Sequence, residues 1–252
     1  MIEVKQLRKS FEGKEILKGI STRFDQGQCN LIIGSSGSGK TVFIKCLLGL
    51  FEPSSGEIMY DNRSFVGLSR KAKKTIRQEI GMVFQGGALF DSMTIEENIM
   101  FPLRMFSGLS YRDQKQRVNE CLDRVNLSGA NSKFPSETSG GMQKRVAIAR
   151  AIALKPKYLF CDEPNSGLDP QTAIVIDNLL KDITKENNMT TLINTHDMNS
   201  VMEIGEQIIY IKDGELRWQG MKDDLFSTKL NPDIESFVFS SELFKRVRKA
   251  AK

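Results

Sequence analysis

A chain of 252 residues that is 40% hydrophobic and 27% charged has the material for one large α/β domain with a small appended unit. Its net charge of +5 is modest and spread along the chain, which points away from nucleic acid as a partner and gives little support for direct binding to anionic lipid. Cys29, Cys46, Cys121 and Cys161 are widely spaced without a C-x-x-C pair, so neither a disulfide framework nor a zinc site is implied, and a reducing compartment follows.

Met1 leads into the charged alternation Ile2-Glu3-Val4-Lys5 rather than into an apolar leader. Residues 2–8 and 16–24 read as strands around a turn at Phe11-Glu12-Gly13-Lys14. The apolar triplet Leu31-Ile32-Ile33 feeds a Gly/Ser run and then an amphipathic segment over 42–50. Strands are expected again at 57–60 and 80–84. From about 88 to 155 the texture is helical, with apolar residues at i, i+3 and i+4 over 94–105, 111–125 and 140–154. Strand-like runs return at 157–161, 190–195, 207–211 and 215–218, with a helix over 172–185. This alternation predicts a mainly parallel core sheet with crossover helices, interrupted by a helical insert. No run approaches the roughly 18 to 20 uninterrupted apolar residues that cross a bilayer, since even 42–51 contains Lys45. Any membrane role is therefore borrowed from a partner.

The run Gly34, Ser35, Ser36, Gly37, Ser38, Gly39, Lys40, Thr41 fits G-x-x-x-x-G-K-[ST], with Val42 opening the helix behind it. A buried strand, a Gly-rich turn and a helix N-terminus bring backbone N–H groups together on anionic oxygens. Lys40 can then reach the β- and γ-phosphates of a nucleotide, and the Thr41 hydroxyl can ligate Mg²⁺. Downstream, the apolar strand Tyr158-Leu159-Phe160-Cys161 ends in Asp162-Glu163. Asp162 suits the Mg²⁺ shell, and Glu163 suits polarisation of an attacking water. A second helix start, Ser139-Gly140-Gly141-Met142, exposes unpaired N–H groups and makes another anion site of the same physical kind. An enzyme with a single nucleotide site has no use for two such cradles.

With both cradles on the page, the chain resembles the nucleotide-binding subunits of ABC transporters over nearly its whole length. The resemblance implies a P-loop NTPase fold of the ABC type, with a mainly parallel core sheet, an antiparallel β-subdomain and an inserted α-helical subdomain at about 88–155. It makes 1–230 the ATPase domain and 231–252 a tail. Phe11 corresponds to the aromatic that stacks on adenine, Gln85 to the Q-loop, 139–143 to the signature, Ser166-Gly167-Leu168-Asp169 to the D-loop, and His196 to the switch histidine that touches the γ-phosphate. Gln85 also takes a place in sensing Mg²⁺ and the attacking water, and Gly86-Gly87 act as a hinge for the insert.

The implied assembly is a head-to-tail homodimer with two ATP sites, each formed by the phosphate loop of one copy and the signature of the other. ATP holds the halves together and hydrolysis releases them. A separate transmembrane permease is then the partner, which places the chain in the cytoplasm, peripheral on the inner membrane. Within the family, 87–98, Phe101-Pro102-Leu103 and a signature ending in Gly-Gly-Met resemble the Mla-type subunits of phospholipid transport, which work with a dimeric permease and an MCE-type substrate-binding protein. Thr138 stands where the general signature has Leu, and Asn165 where Thr is usual. An importer of amino acids or another small solute is the alternative. A regulatory module that dimerises on ATP without useful turnover is the alternative of another class, opposed by the presence of Glu163 and His196. In the tail, Ile234, Phe237, Val238, Phe239, Leu243, Phe244 and Val247 beside Lys245, Arg246, Arg248 and Lys249 suggest docking on the core or on a partner copy, with a membrane-surface helix as the second option.

Overall fold

The computed structural model describes residues 1–226, 230–240 and 244–246. An antiparallel pair, β1 (Ile2–Phe11) and β2 (Lys14–Phe24), opens the chain, followed by β3 (Gln28–Ile33) and α1 (Lys40–Leu47). β4 (Ser55–Tyr60) and β5 (Arg63–Ser64) complete a small antiparallel sheet of order β2-β1-β4-β5. After α2 (Arg70–Gln78) and β6 (Ile80–Val83) come three helices, α3 (Ile95–Phe106), α4 (Tyr111–Arg124) and α5 (Gly140–Ile152). β7 (Tyr158–Asp162), α6 (Pro170–Glu186), β8 (Thr190–Asn194), α7 (Met198–Ile204), β9 (Gln207–Lys212), β10 (Glu215–Met221) and α8 (Pro232–Val238) follow.

The larger sheet has the order β10-β9-β3-β8-β7-β6 and is parallel except for the β9–β10 pair. Both of its faces are covered, which is why its strands are near-continuous apolar runs. Alternate side chains enter different cores. Leu31, Ile33, Leu159, Cys161, Ile193 and Ile208 pack beneath α5 and α6. Ile32, Tyr158, Phe160, Leu192 and Ile209 join Phe43 of α1 and the antiparallel sheet.

Helix ends follow local chemistry. Thr94 and Glu97 form a reciprocal capping box at α3, and Ser110 and Ser139 cap α4 and α5. α6 starts at Pro170, ahead of the expected 172, because Asp169 caps it and Pro170 fits the first helical position. Two helices escaped the periodicity reading. In α2, RKAKKTIRQ, only Lys73 and Ile76 are buried, so it carries almost no apolar stripe. α7 is a two-turn helix between the tight segment 195–197 and β9.

Residues 230–240 lie against the core. Leu230, Ile234, Val238 and Phe239 are buried with Leu225, Phe237 packs on Tyr210 at 5.1 Å, and Lys212 pairs with Asp233 at 2.6 Å. Phe244 packs on the same cluster. Leu243, Val247, Arg248 and Lys249 of the expected tail pattern lie outside the described residues. Among the described residues no helix is long and apolar enough to cross a membrane.

Candidate active site

Because β3, β8, β7 and β6 are neighbouring parallel strands, their carboxyl ends open on one edge of the sheet, where α/β folds place ligand crevices. That edge receives residues 34–41 from β3, His196 from β8, Asp162 and Glu163 from β7, and Gln85 from β6.

The loop after β3 has the geometry of an anion cradle. A Cβ on Gly34 would lie 2.2 Å from the Ile211 carbonyl, and its φ of 151° disfavours any other residue. Gly39, with φ 106°, starts α1 with no side chain capping its first amides. Ser35, Ser36, Gly37 and Thr41 are exposed, whereas Ser38 and Lys40 are buried and Val42 is half-buried. Ser38 Oγ is buried and has no hydrogen-bond partner, an orphaned polar atom within the loop. Lys40 Nζ folds back to donate to the carbonyls of Gly34 at 2.7 Å and Ser35 at 3.0 Å. Burial draws its ammonium below the usual lysine range, against the opposing pull of Glu163 and Asp162. The loop therefore holds uncapped N–H groups, an unpartnered hydroxyl and a partly desolvated cation within one turn of chain.

Glu163 sits across from this loop with φ 45°, the left-handed region that a β-carbon resists. Gln85 Nε2 donates to its Oε2 at 2.7 Å, and His196 Nδ1 lies 2.9 Å from its Oε1. One carboxylate thus bridges two loops from different strands. Asp162 is held by Asn194 Nδ2 at 2.5 Å, an interaction that the sequence reading did not anticipate, since Asn194 looked like an ordinary strand residue. Phe11 is 39% exposed, edge-packed on Phe51 at 5.1 Å with Lys9 over one face.

The backbone beyond Gln85 is gripped from α5. Lys144 donates to the Gln85 carbonyl, and Arg150 donates to those of Gly87 and Ala88 at 2.6 and 2.7 Å. Neither cation was singled out from the sequence. The only signal is that three basic residues, Lys144, Arg145 and Arg150, stand on a helix rich in small and apolar residues.

Ser139 and Gly140 are exposed at the start of α5, and Gly141 is buried against Thr172 of α6. Met142 is half-buried, and its N–H bonds Ser139 Oγ at 3.3 Å. Asp169 caps α6, and hydrogen bonds from Thr172 hold its carboxyl below the usual range. Among the described residues no hydrogen bond connects 139–142 to 34–42, so this chain by itself does not close the two cradles on each other. On the flank of the helical segment lies an apolar groove of about 620 Å³, lined by Phe84, Phe90, Phe101 and Phe106 with Arg77 and Arg150 at its rim.

Comparison with known proteins now decides the family. The ABC transporter family model matches residues 17–166. The chain is 37% identical over 246 residues to a methionine import ATP-binding protein of Pseudomonas fluorescens, covering 96% of this chain and 73% of that one. The counterpart in Photobacterium profundum is 41% identical over 245 residues, covering 96% and 71%. A dimeric ATP-binding cassette in a post-hydrolysis state bound to ADP and Pi superposes with a TM-score of 0.80 at 34% identity, covering 88% of this chain and 99% of that one.

The chain belongs to the ABC transporter family.

It is an ATP-binding subunit with the ABC-type P-loop NTPase fold, and its family hydrolyses ATP. The finer expectation of an Mla-type subunit finds no support. The relatives are named for methionine import, which favours the small-solute alternative over phospholipid, and an MCE-type partner has no support either. The phospholipid expectation rested on 87–98, Phe101-Pro102-Leu103 and Met142, which lie on the insert and signature of an ATPase subunit, where function does not follow from fold-level likeness.

Proposed function

We propose that this chain is the ATPase subunit of an ABC importer for an amino acid or a similarly small solute, working as a head-to-tail pair on the cytoplasmic face of a membrane. One observation carries the reading: the Glu163 carboxylate is held between Gln85 and His196 on the sheet edge that bears the Lys40 loop. Residues 34–42 cradle the phosphates of ATP, and Phe11 stacks on the base. Lys40 leaves its two carbonyl partners for the phosphates. Glu163 accepts a proton from the attacking water, while Gln85 and His196 orient that carboxylate. Ser139, Gly140, Gly141 and Met142, with Asp169, complete the site of the other copy, which fits the exposure of Ser139, Gly140 and Asp169.

Among the described residues no group of three or more Asp, Glu, His or Cys is placed to hold a metal. Thr41, Asp162 and Gln85 fit instead a Mg²⁺ ion that keeps water and phosphate oxygens as its other ligands. When bound, it neutralises charge on the transferring phosphoryl group. The aromatic groove with its cationic rim receives a permease segment that is apolar with an acidic side chain. Its lining includes Arg150, which holds the turn beyond Gln85, so seating of the permease bears on the catalytic loop.

Steady-state ATP hydrolysis by the chain with its permease tests the reading. Glu163→Gln is expected to abolish turnover while ATP still binds and a closed dimer accumulates; near-parental turnover would refute it. The cargo is read by isolating the complex from cells and assaying methionine uptake in vesicles. Co-purified phospholipid without amino-acid uptake would restore the phospholipid reading, which the resemblance of 87–98 favours.

A further inference from the structure

A buried polar cluster joins the loop after Glu163 to α6 and α7. Asp177, on α6, is 2% exposed, Ser200, on α7, is 1% exposed, and Asn165, two residues after Glu163, is 8% exposed. The Asn165 amide spends its N–H groups on all of them: Nδ2 donates to Ser200 Oγ at 2.7 Å and reaches the two Asp177 oxygens at 3.3 and 3.4 Å. Ser200 also hydrogen-bonds Asp177. The loop carrying Glu163 is thereby tied to α7, whose Ser200 follows His196 by four residues, and both are tied to α6.

The backbone adds one short tie, from Glu163 N to the Asn194 carbonyl at 2.9 Å, and two longer ones, from Ser166 N to the Glu163 carbonyl at 3.2 Å and from Leu168 N to that of Asn165 at 3.3 Å. Glu163 itself has a left-handed φ of 45°, which persists only when its surroundings over-determine it. Among the described residues no salt bridge reaches Asp177. The charged groups facing it are Asp197 and Glu203 of α7, both repulsive, and the Cys161 thiol of β7 lies below with its pKa well above the usual value because it is buried. A buried, uncompensated carboxylate is costly to keep, and hydrophobic residues fill the same face of α6 at Ile176, Leu180 and Ile183.

We propose that Asp177 is a positioning residue for ATP hydrolysis. Acting through the Asn165 amide and the Ser200 hydroxyl, its carboxylate fixes the Glu163 loop against the His196 segment, so that the Glu163–His196 contact is preformed. This role rests on the assignment of Glu163 and His196 to hydrolysis. Burial together with Asp197 raises the Asp177 carboxyl to about 6, so the ionised form that accepts from Asn165 is lost just below neutral pH.

The test is steady-state hydrolysis by the full chain purified with its permease, from pH 5.5 to 8.5, for the parent, Asp177→Asn and Asn165→Ala. For Asp177→Asn, kcat is expected to fall on the order of 10- to 100-fold above pH 7 with KM for ATP unchanged, the scale of a small misplacement of a reacting group. The ratio of parental to variant kcat should shrink toward one as pH drops through about 6. The unfolding midpoint of the variant should not be lowered, which separates positioning from a general loss of structure. Asn165→Ala should show the same kcat loss at constant KM, and adding Asp177→Asn to it should cost little more, as expected of one coupled unit. Parental kcat in either variant, a ratio that does not change with pH, or a rise in KM equal to the fall in kcat overturns the proposal. If Asp177→Asn does not fold, Asn165→Ala decides alone. Glu163→Gln in the same assay reads the catalytic assignment separately: if it keeps turnover, the assignment itself fails.

Discussion

The two glycine-rich helix starts of this molecule, at Gly39-Lys40 and at Ser139-Gly140, use the same backbone chemistry to opposite ends. At α1 no side chain caps the first amides, Ser38 Oγ has no partner and Lys40 can satisfy itself only with its own loop's carbonyls. At α5 Ser139 bonds the Met142 amide, and its neighbour Gly141 is buried against Thr172. The first start has no side-chain cap inside the chain. The second has one, on the Met142 amide, and its first two residues are exposed. The glycines differ correspondingly: Gly34 is required by its own φ and by the Ile211 carbonyl, Gly141 only by a neighbouring methyl group. The proposed function gives ATP chemistry to the first start and contact between copies to the second.

The sharpest break of that division is Glu163→Gln, which acts on chemistry alone. A general base contributes roughly 10²- to 10⁴-fold, so kcat is expected to fall by that factor with ATP affinity intact, as read by hydrolysis and by nucleotide titration. Next comes Asp177→Asn, measured by urea unfolding across pH. The folded-state pKa is raised from 3.8 to about 6, so the Asp177 contribution to stability is full below 3.8 and is lost as pH rises through 6. The variant, which cannot ionise there, should gain on the parent by about 3 kcal/mol between pH 4 and pH 8.

Lys40→Ala should weaken ATP binding by about 1.5 to 3 kcal/mol, the scale of a hydrogen bond to a charged group. Unchanged affinity in an ATP titration would remove Lys40 from the phosphate site. Smallest is the contrast between the glycines. Gly141→Ala should cost about 1 to 3 kcal/mol of stability through overpacking, and Thr172→Ser, which deletes the methyl group 2.7 Å from the new Cβ, should recover most of it. Gly34→Ala should cost more and be rescued by no side-chain change, since backbone strain and a carbonyl oppose it.

Much of the site was legible because its residues sit at strand ends, where apolar runs stop abruptly. Leu31-Ile32-Ile33 before Gly34 and Phe160-Cys161 before Asp162 marked two of the four loops that meet at the sheet edge. Strand positions were recovered for the same reason, although β1 and β2 run three and two residues further than alternation indicated, because their pairing continues to the tight turn. What could not be read were contacts made across the sequence. Asn194 under Asp162, Lys144 and Arg150 on the Q-loop carbonyls, and the Asn165–Asp177–Ser200 cluster join positions 32, 59, 63, 12 and 35 residues apart. A polar residue on a buried helix face is visible in a sequence, but its partner is not. α2 was missed because its stability comes from two buried side chains and the Ser69 cap rather than from a stripe. The cargo was the weakest inference, since it was drawn from insert residues with no cargo contact.

The division between the two helix starts is tested most directly by determining the structure of Glu163→Gln with Mg²⁺ and ATP. The account predicts two copies related by a twofold axis, each nucleotide lying between residues 34–41 of one and Ser139 and Gly141 of the other. A nucleotide enclosed by one copy alone, with Ser139 facing solvent, would contradict it.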